Sequence, residues 1–153
     1  VVIGGERLAS YYLGNLLGNP FDSAVAAAHL IFGGVLDRFK RLTVCLPHAG
    51  GAFPYLVGRL SRGWKVRSEC KHLRRPPSAY LRRFTYDTIT HSPQALRYLI
   101  GLVGADRVMI GSDYCFDMGY ARPVEVVTRL RGVSRSDQAR ILGGNAARLL
   151  RVG

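Results

Sequence analysis

Leu42-Thr43-Val44-Cys45-Leu46-Pro47-His48-Ala49-Gly50-Gly51 is the stretch on which the fold turns. Its first five residues are apolar or β-branched and have the length of a strand, while Pro47 and the glycine pair force a turn directly after them. Upstream, Asn19-Pro20-Phe21-Asp22 is a helix-start signal ahead of the Ala-, Leu- and Ile-rich residues 24–32; that helix should end near Gly33-Gly34 or Phe39. Downstream, helical spacing resumes over residues 53–60. Pro76-Pro77 then interrupts it.

The same alternation follows twice more. Residues 84–89 read as a strand, and Pro93 opens a helix in which Leu96, Leu99, Ile100 and Val103 recur at helical spacing. Residues 107–111 read as a third strand that delivers Ser112-Asp113-Tyr114 at its end. Pro123 opens a helix with Val126, Val127 and Leu130 on one face, and residues 137–142 and 146–150 make two short terminal helices. Strands alternating with helices imply βαβ units and a parallel sheet, an α/β fold. Chemistry in such folds gathers at the C-terminal ends of the strands, where His48, His91 and Asp113 fall.

At 153 residues and 48% hydrophobic content, the chain is expected to form one domain over 1–153 with a real core. It contains no apolar run of membrane-spanning length and no signal-peptide order at the N-terminus, so a cytoplasmic, membrane-free location is expected. Cys45, Cys70 and Cys115 have neither metal-ligand nor redox spacing and read as reduced thiols, Cys45 as core packing. The first residue is Val1 and the only methionines are Met109 and Met118, from which a piece of a longer protein is expected. Net charge is +12, and between Arg59 and Arg83 nine Lys or Arg face Glu69 alone. Such a segment can attract nucleic acid, an anionic membrane or a carboxylate-bearing substrate, or be a solvated face. Without interleaved aromatics, nucleic acid is not the expected partner.

Several motifs resemble one family in order and spacing across nearly the whole chain: Asn19-Pro20-Phe21; Leu30 to Phe39; His48-Ala49-Gly50-Gly51-Ala52-Phe53-Pro54-Tyr55 with Gly58-Arg59; Gly104 to Tyr114; and Gly144 to Leu150. The chain resembles the aminocarboxymuconate-semialdehyde decarboxylase family of the amidohydrolase superfamily. The resemblance implies a metal-dependent (β/α)8 TIM barrel of which this chain is the C-terminal part, strands six to eight with their helices, lacking the N-terminal strands. It also implies a divalent metal, usually Zn2+, held by a His-x-His pair on the first strand, a histidine ending the fifth and an aspartate ending the eighth. Asp113 matches that aspartate, and the three histidines have no counterpart here. His48 matches the sixth-strand histidine that works beside the metal, and Arg59 matches an arginine that grips the substrate carboxylate from the neighbouring subunit of a homodimer. Ala49 stands where the family often has the first of three glycines, and Cys115 where proline commonly follows the Asp-Tyr pair.

The implied activity is decarboxylation of a small unsaturated or aromatic carboxylic acid, with hydrolysis of lactones or amides as the alternative within the superfamily. A non-catalytic basic binding module is the alternative from another class. A catalytic zinc needs about three protein ligands, so this chain by itself is expected to bind the ion poorly and to have little activity. Each residue also has a structural reading: His48 as a packing or capping group, Asp113 as a turn cap and Arg59 as a solvated cation. His91 is expected in a supporting or structural role, with Tyr55 and Trp64 at the pocket or dimer contact. His29 is expected to be packed, and His72 to lack partners.

Overall fold

Pro20, near the start of α1 (Asn19–Phe32), costs the helix nothing, because the N–H that it lacks is one the first turn leaves unpaired. The computed structural model describes residues 3–152, so the outermost residues of the expected 1–153 domain, Val1 among them, lie outside the described residues. α1 continues directly from a π-helical turn, Gly14–Gly18, and buries Ala24, Ala27 and Ile31 along one stripe. It stops at Gly33, and α2 (Val35–Arg38) seats Leu36 in the core. β1 (Val44–Leu46) then runs through Pro47 and a tight 3-10 turn, His48–Gly50, into α3 (Phe53–Val66).

Glycine is required at position 51. Its φ is +56°, and a Cβ there would stand 1.9 Å from the Pro20 carbonyl oxygen, which also accepts the Ala52 N–H at 3.2 Å. The starts of α1 and α3 are locked together at that point. α3 runs beyond the expected residues 53–60, because Phe53, Val57, Leu60 and Trp64 form one apolar stripe at i, i+4, i+7 and i+11. Its opposite face carries Arg59, Arg62 and Lys65 into solvent.

β2 (Phe84–Tyr86) pairs in parallel with β1, Val44 opposite Phe84 and Leu46 opposite Tyr86. Both Phe84 and Tyr86 are fully buried, and Phe84 meets Phe53 edge-on with ring centroids 5.5 Å apart. α4 (Pro93–Val103) begins with a Ser92 side chain that accepts the Ala95 N–H, and it buries Leu96, Leu99 and Val103. The third expected strand, residues 107–111, is reduced to a single parallel bridge between Tyr86 and Val108. Met109 N–H makes that bridge to the Tyr86 carbonyl, and the next donors go elsewhere: Ile110 N–H to the Ile141 carbonyl and Gly111 N–H to the Thr88 hydroxyl. A ladder needs neighbours at every step, and here a helix carbonyl and a side chain take the place of one. After α5 (Pro123–Thr128), the two expected terminal helices merge: α6 (Arg135–Ala139), a π-helical turn Arg140–Gly144 and α7 (Asn145–Leu150) follow without a break.

Three expectations about single residues are corrected. Cys45 is exposed, because strand residues alternate and Leu46 takes the face that packs against the helices. His29 is exposed too, since two residues from Ala27 is about 200° around a helix. His72 does have partners: its ring nitrogens meet the Phe32 carbonyl at the end of α1 and the Glu69 carbonyl. No helix among the described residues is long and apolar enough to cross a membrane.

Asn145 is 4% exposed, and its amide donates to the Ala105 and Val108 carbonyls at 2.7 Å each, which ties the terminal helices to the third strand segment. Asn145→Ala leaves both carbonyls without that donor and should lower unfolding stability by about 2–4 kcal/mol. Urea titration followed by circular dichroism measures it; a loss within experimental error of zero would show the clamp to be idle.

Candidate functional site

Beyond the C-terminal ends of β1 and β2 lies a cavity of about 400 Å³. His48, His91, Asp113, Tyr55, Thr90 and Tyr98 are among its lining residues. Each strand segment thus delivers one titratable side chain to one space: His48 after β1, His91 after β2 and Asp113 after the third. All three sit in the left-handed backbone region, with φ of +53°, +52° and +59° respectively. Such a conformation costs a non-glycine residue about 1–2 kcal/mol and persists only where its surroundings impose it.

At His48 the imposing group is Asp87. One carboxylate oxygen accepts the Ala49 N–H at 2.7 Å and the Ile89 N–H at 2.9 Å, and the other accepts the His48 N–H at 3.0 Å. Ala49 is also left-handed, with φ +56° and ψ +25°, where glycine would sit without strain. The Asp87 bond to its N–H offsets that cost. Burial raises the Asp87 carboxyl above the usual carboxylate range, against the opposing pull of the three N–H donors and of His48. His48 itself keeps its Nδ1 buried without a hydrogen-bond partner.

His91 is fixed differently: its N–H donates to the Tyr120 hydroxyl at 2.7 Å, and the two rings lie 4.9 Å apart, centroid to centroid. Tyr120 closes the loop that carries Asp113, because its own N–H donates to the Ser112 carbonyl at 2.7 Å. Inside that loop Phe116 N–H donates to the Asp113 carbonyl at 3.0 Å. Across the cavity, the Tyr98 hydroxyl donates to the Pro54 carbonyl at 3.1 Å and braces α4 against α3.

Two candidates lie elsewhere. Trp64 is half-buried on the core side of α3, and its indole N–H donates to the Leu73 carbonyl at 3.0 Å. Arg59 projects from the outer face of α3, and among the described residues neither Lys nor Arg lines the cavity. Of the nine cations between Arg59 and Arg83, Arg75 pairs with Asp37, Arg82 with Asp106, and Arg83 holds the Leu36 carbonyl. Sequence reasoning missed Asp87 and Tyr120. Asp87 did carry a signal, the one acid within the otherwise uncharged residues 84–89; Tyr120 carried none.

A divalent ion needs about three side-chain ligands. Among the described residues no group of three His, Cys, Asp or Glu side chains comes together. Asp113 is the carboxylate that lines the cavity.

Residues 13–152 match the family described as amidohydrolase. The chain is 34% identical over 151 residues to the 2-amino-3-carboxymuconate-6-semialdehyde decarboxylase of Dictyostelium discoideum, covering 97% of this chain and 42% of that protein. Its structure superposes on 5-carboxyvanillate decarboxylase from Sphingomonas paucimobilis with a TM-score of 0.83 and 29% identity, over 95% of this chain and 45% of that one. A dihydroxybenzoic acid decarboxylase from a Polaromonas species, solved with bound manganese and an inhibitor, shares the fold with a TM-score of 0.81 at 24% identity, over 94% and 44% of the two chains. The chain therefore spans less than half the length of these three relatives, and its fold is that of part of their barrel.

Asp87→Asn keeps an oxygen for Ala49 and Ile89 but turns an NH2 group toward the His48 N–H. Amide exchange at His48 should rise about tenfold, the loss of one net hydrogen bond, with Ala49 less affected. The substitution also removes a pH dependence. A carboxyl raised in the folded state contributes stability that is full below pH 3.8 and is lost as pH rises through the raised value. The stability difference between wild type and Asp87→Asn should therefore fall across that window; a flat difference would count against the assignment.

Proposed function

Because the chain belongs to the amidohydrolase family, we propose that it forms part of a metal-dependent decarboxylase acting on a small unsaturated or aromatic carboxylic acid. The observation that carries this reading is the meeting of His48 and Asp113 at one cavity from two separate strand ends. His48 is the proton donor. Its proton goes to the carbon that bears the carboxylate, and the electron pair of the breaking carbon–carbon bond restores the conjugation of the substrate as carbon dioxide leaves. Pro54, Ile89 and Leu99 supply apolar walls that keep water from the reacting carbon.

Asp113 is assigned as a ligand to a divalent ion whose remaining ligands come from outside this chain. Zinc is the family's usual ion, and the manganese of the Polaromonas relative makes it an equal candidate. Arg59, on the outer face of α3 and outside the cavity wall, would reach a substrate carboxylate only across a subunit boundary. The reading is a homodimer in which Arg59 of one subunit serves the cavity of the other. The three free thiols fit a cytoplasmic protein.

The test is carbon dioxide release by the whole protein from a hydroxybenzoate and from an aminocarboxymuconate-type acid, alongside hydrolysis of a lactone and an amide. Asp113→Asn should lower metal content and release together, metal affinity falling by about 10- to 100-fold or more. His48→Ala should leave the metal in place and slow release by about 10²- to 10⁴-fold. Hydrolysis without carbon dioxide would replace the decarboxylase reading with a hydrolase one.

A further inference from the structure

Seven described non-glycine residues have positive φ: Tyr11, Tyr12, His48, Ala49, His91, Asp113 and Arg151. Three of them, His48, His91 and Asp113, line the cavity with a titratable side chain from each strand end. Strain kept in place at a strand end is a mark of a side chain aimed for a purpose. His48 and Asp113 already have roles, and His91 shares their geometry without one. Its imidazole is exposed to the cavity, and no hydrogen bond occupies its ring nitrogens among the described residues. The Tyr120 hydroxyl takes up its main-chain N–H at 2.7 Å, and the Tyr120 ring backs the imidazole at 4.9 Å. Tyr120 is in turn pinned to Ser112, next to Asp113, so the two strand ends are held as one unit.

We propose that His91, positioned by Tyr120, contacts the substrate directly and hydrogen-bonds a polar substituent on the ring of the acid, so that the cavity selects hydroxylated ring acids over unsubstituted ones. His91 lies five residues beyond β2, on the middle of the three strand segments, and is exposed where His48 is half-buried. A ring whose carboxylate end lies between His48 and Asp113 turns its outer edge toward that imidazole. A free imidazole can both donate and accept, which suits a hydroxyl. A site built to pair with a hydroxyl discriminates strongly against the analogue that lacks it. The proposal rests on reading the cavity as the acid-binding site.

The experiment compares binding of 4-hydroxybenzoate and benzoate to the whole protein by calorimetry, with the His91 ring resonances followed by NMR and carbon dioxide release measured separately. Wild type should favour the hydroxylated acid about tenfold or more, and only that acid should move the His91 ring. His91→Leu and Tyr120→Phe should bring the ratio near one by weakening 4-hydroxybenzoate alone, while His91→Gln, which can still donate and accept, keeps most of it. Equal losses for both acids in Tyr120→Phe, an unchanged ratio in His91→Leu, or binding of neither acid by wild type would overturn the proposal. Selective binding without carbon dioxide release would sink the decarboxylase reading and leave the His91 contact standing.

Discussion

One part-buried carboxylate, that of Asp87, holds the cavity end of this chain together. It accepts three main-chain N–H groups, two from the turn after β1 and one from its own turn after β2. Those donors belong to backbone that has left the sheet and points away from any ladder partner, and unpaired they would cost about 1–3 kcal/mol each. By gathering them, Asp87 makes two successive left-handed residues, His48 and Ala49, tolerable side by side. It thereby aims the imidazole into the cavity. The burial that raises its carboxyl is the cost of placing a charge beneath the site, and the three donors are what keep it there.

The rest of the site follows the same logic with different atoms. At the second strand end a tyrosine hydroxyl replaces the carboxylate as acceptor, and at the third a closed loop holds Asp113 in place. Support for this strain comes from a conventional core: α1, α3 and α4 lay their apolar stripes against Leu46, Phe84 and Tyr86, and Asn145 ties the terminal helices to the third segment. The surplus positive charge takes no part in the cavity wall. It lies on the outer face of α3 and in the segment after it, where part of it is spent on Asp37, Asp106 and free helix-end carbonyls.

Local chemistry wrote most of the architecture into the sequence. Pro20, Pro93 and Pro123 mark helix starts because proline fits where no N–H is needed, and Val44–Leu46 and Phe84–Tyr86 have the apolar, β-branched or aromatic make-up of paired strands. His48, His91 and Asp113 could be picked out because each follows a strand, and in α/β folds that position is where side chains converge. The errors fell where a residue's surroundings, not its neighbours in sequence, decide. Cys45 looked buried from its apolar company, yet alternation put it on the open face; residues 107–111 looked like a strand, yet a helix carbonyl and Thr88 took their donors.

The sequence by itself thus determined the order of elements, the α/β class and the three strand-end side chains, since periodicity and turn chemistry act over a few residues. Only the tertiary structure decided that Asp87 and Tyr120 hold those side chains in place, that Trp64 belongs to the core and that Arg59 lies on the outer face of α3, away from the cavity. The contacts responsible join residues far apart in sequence, 39 positions for Asp87 with His48 and 29 for Tyr120 with His91, and no local pattern encodes which distant groups will meet.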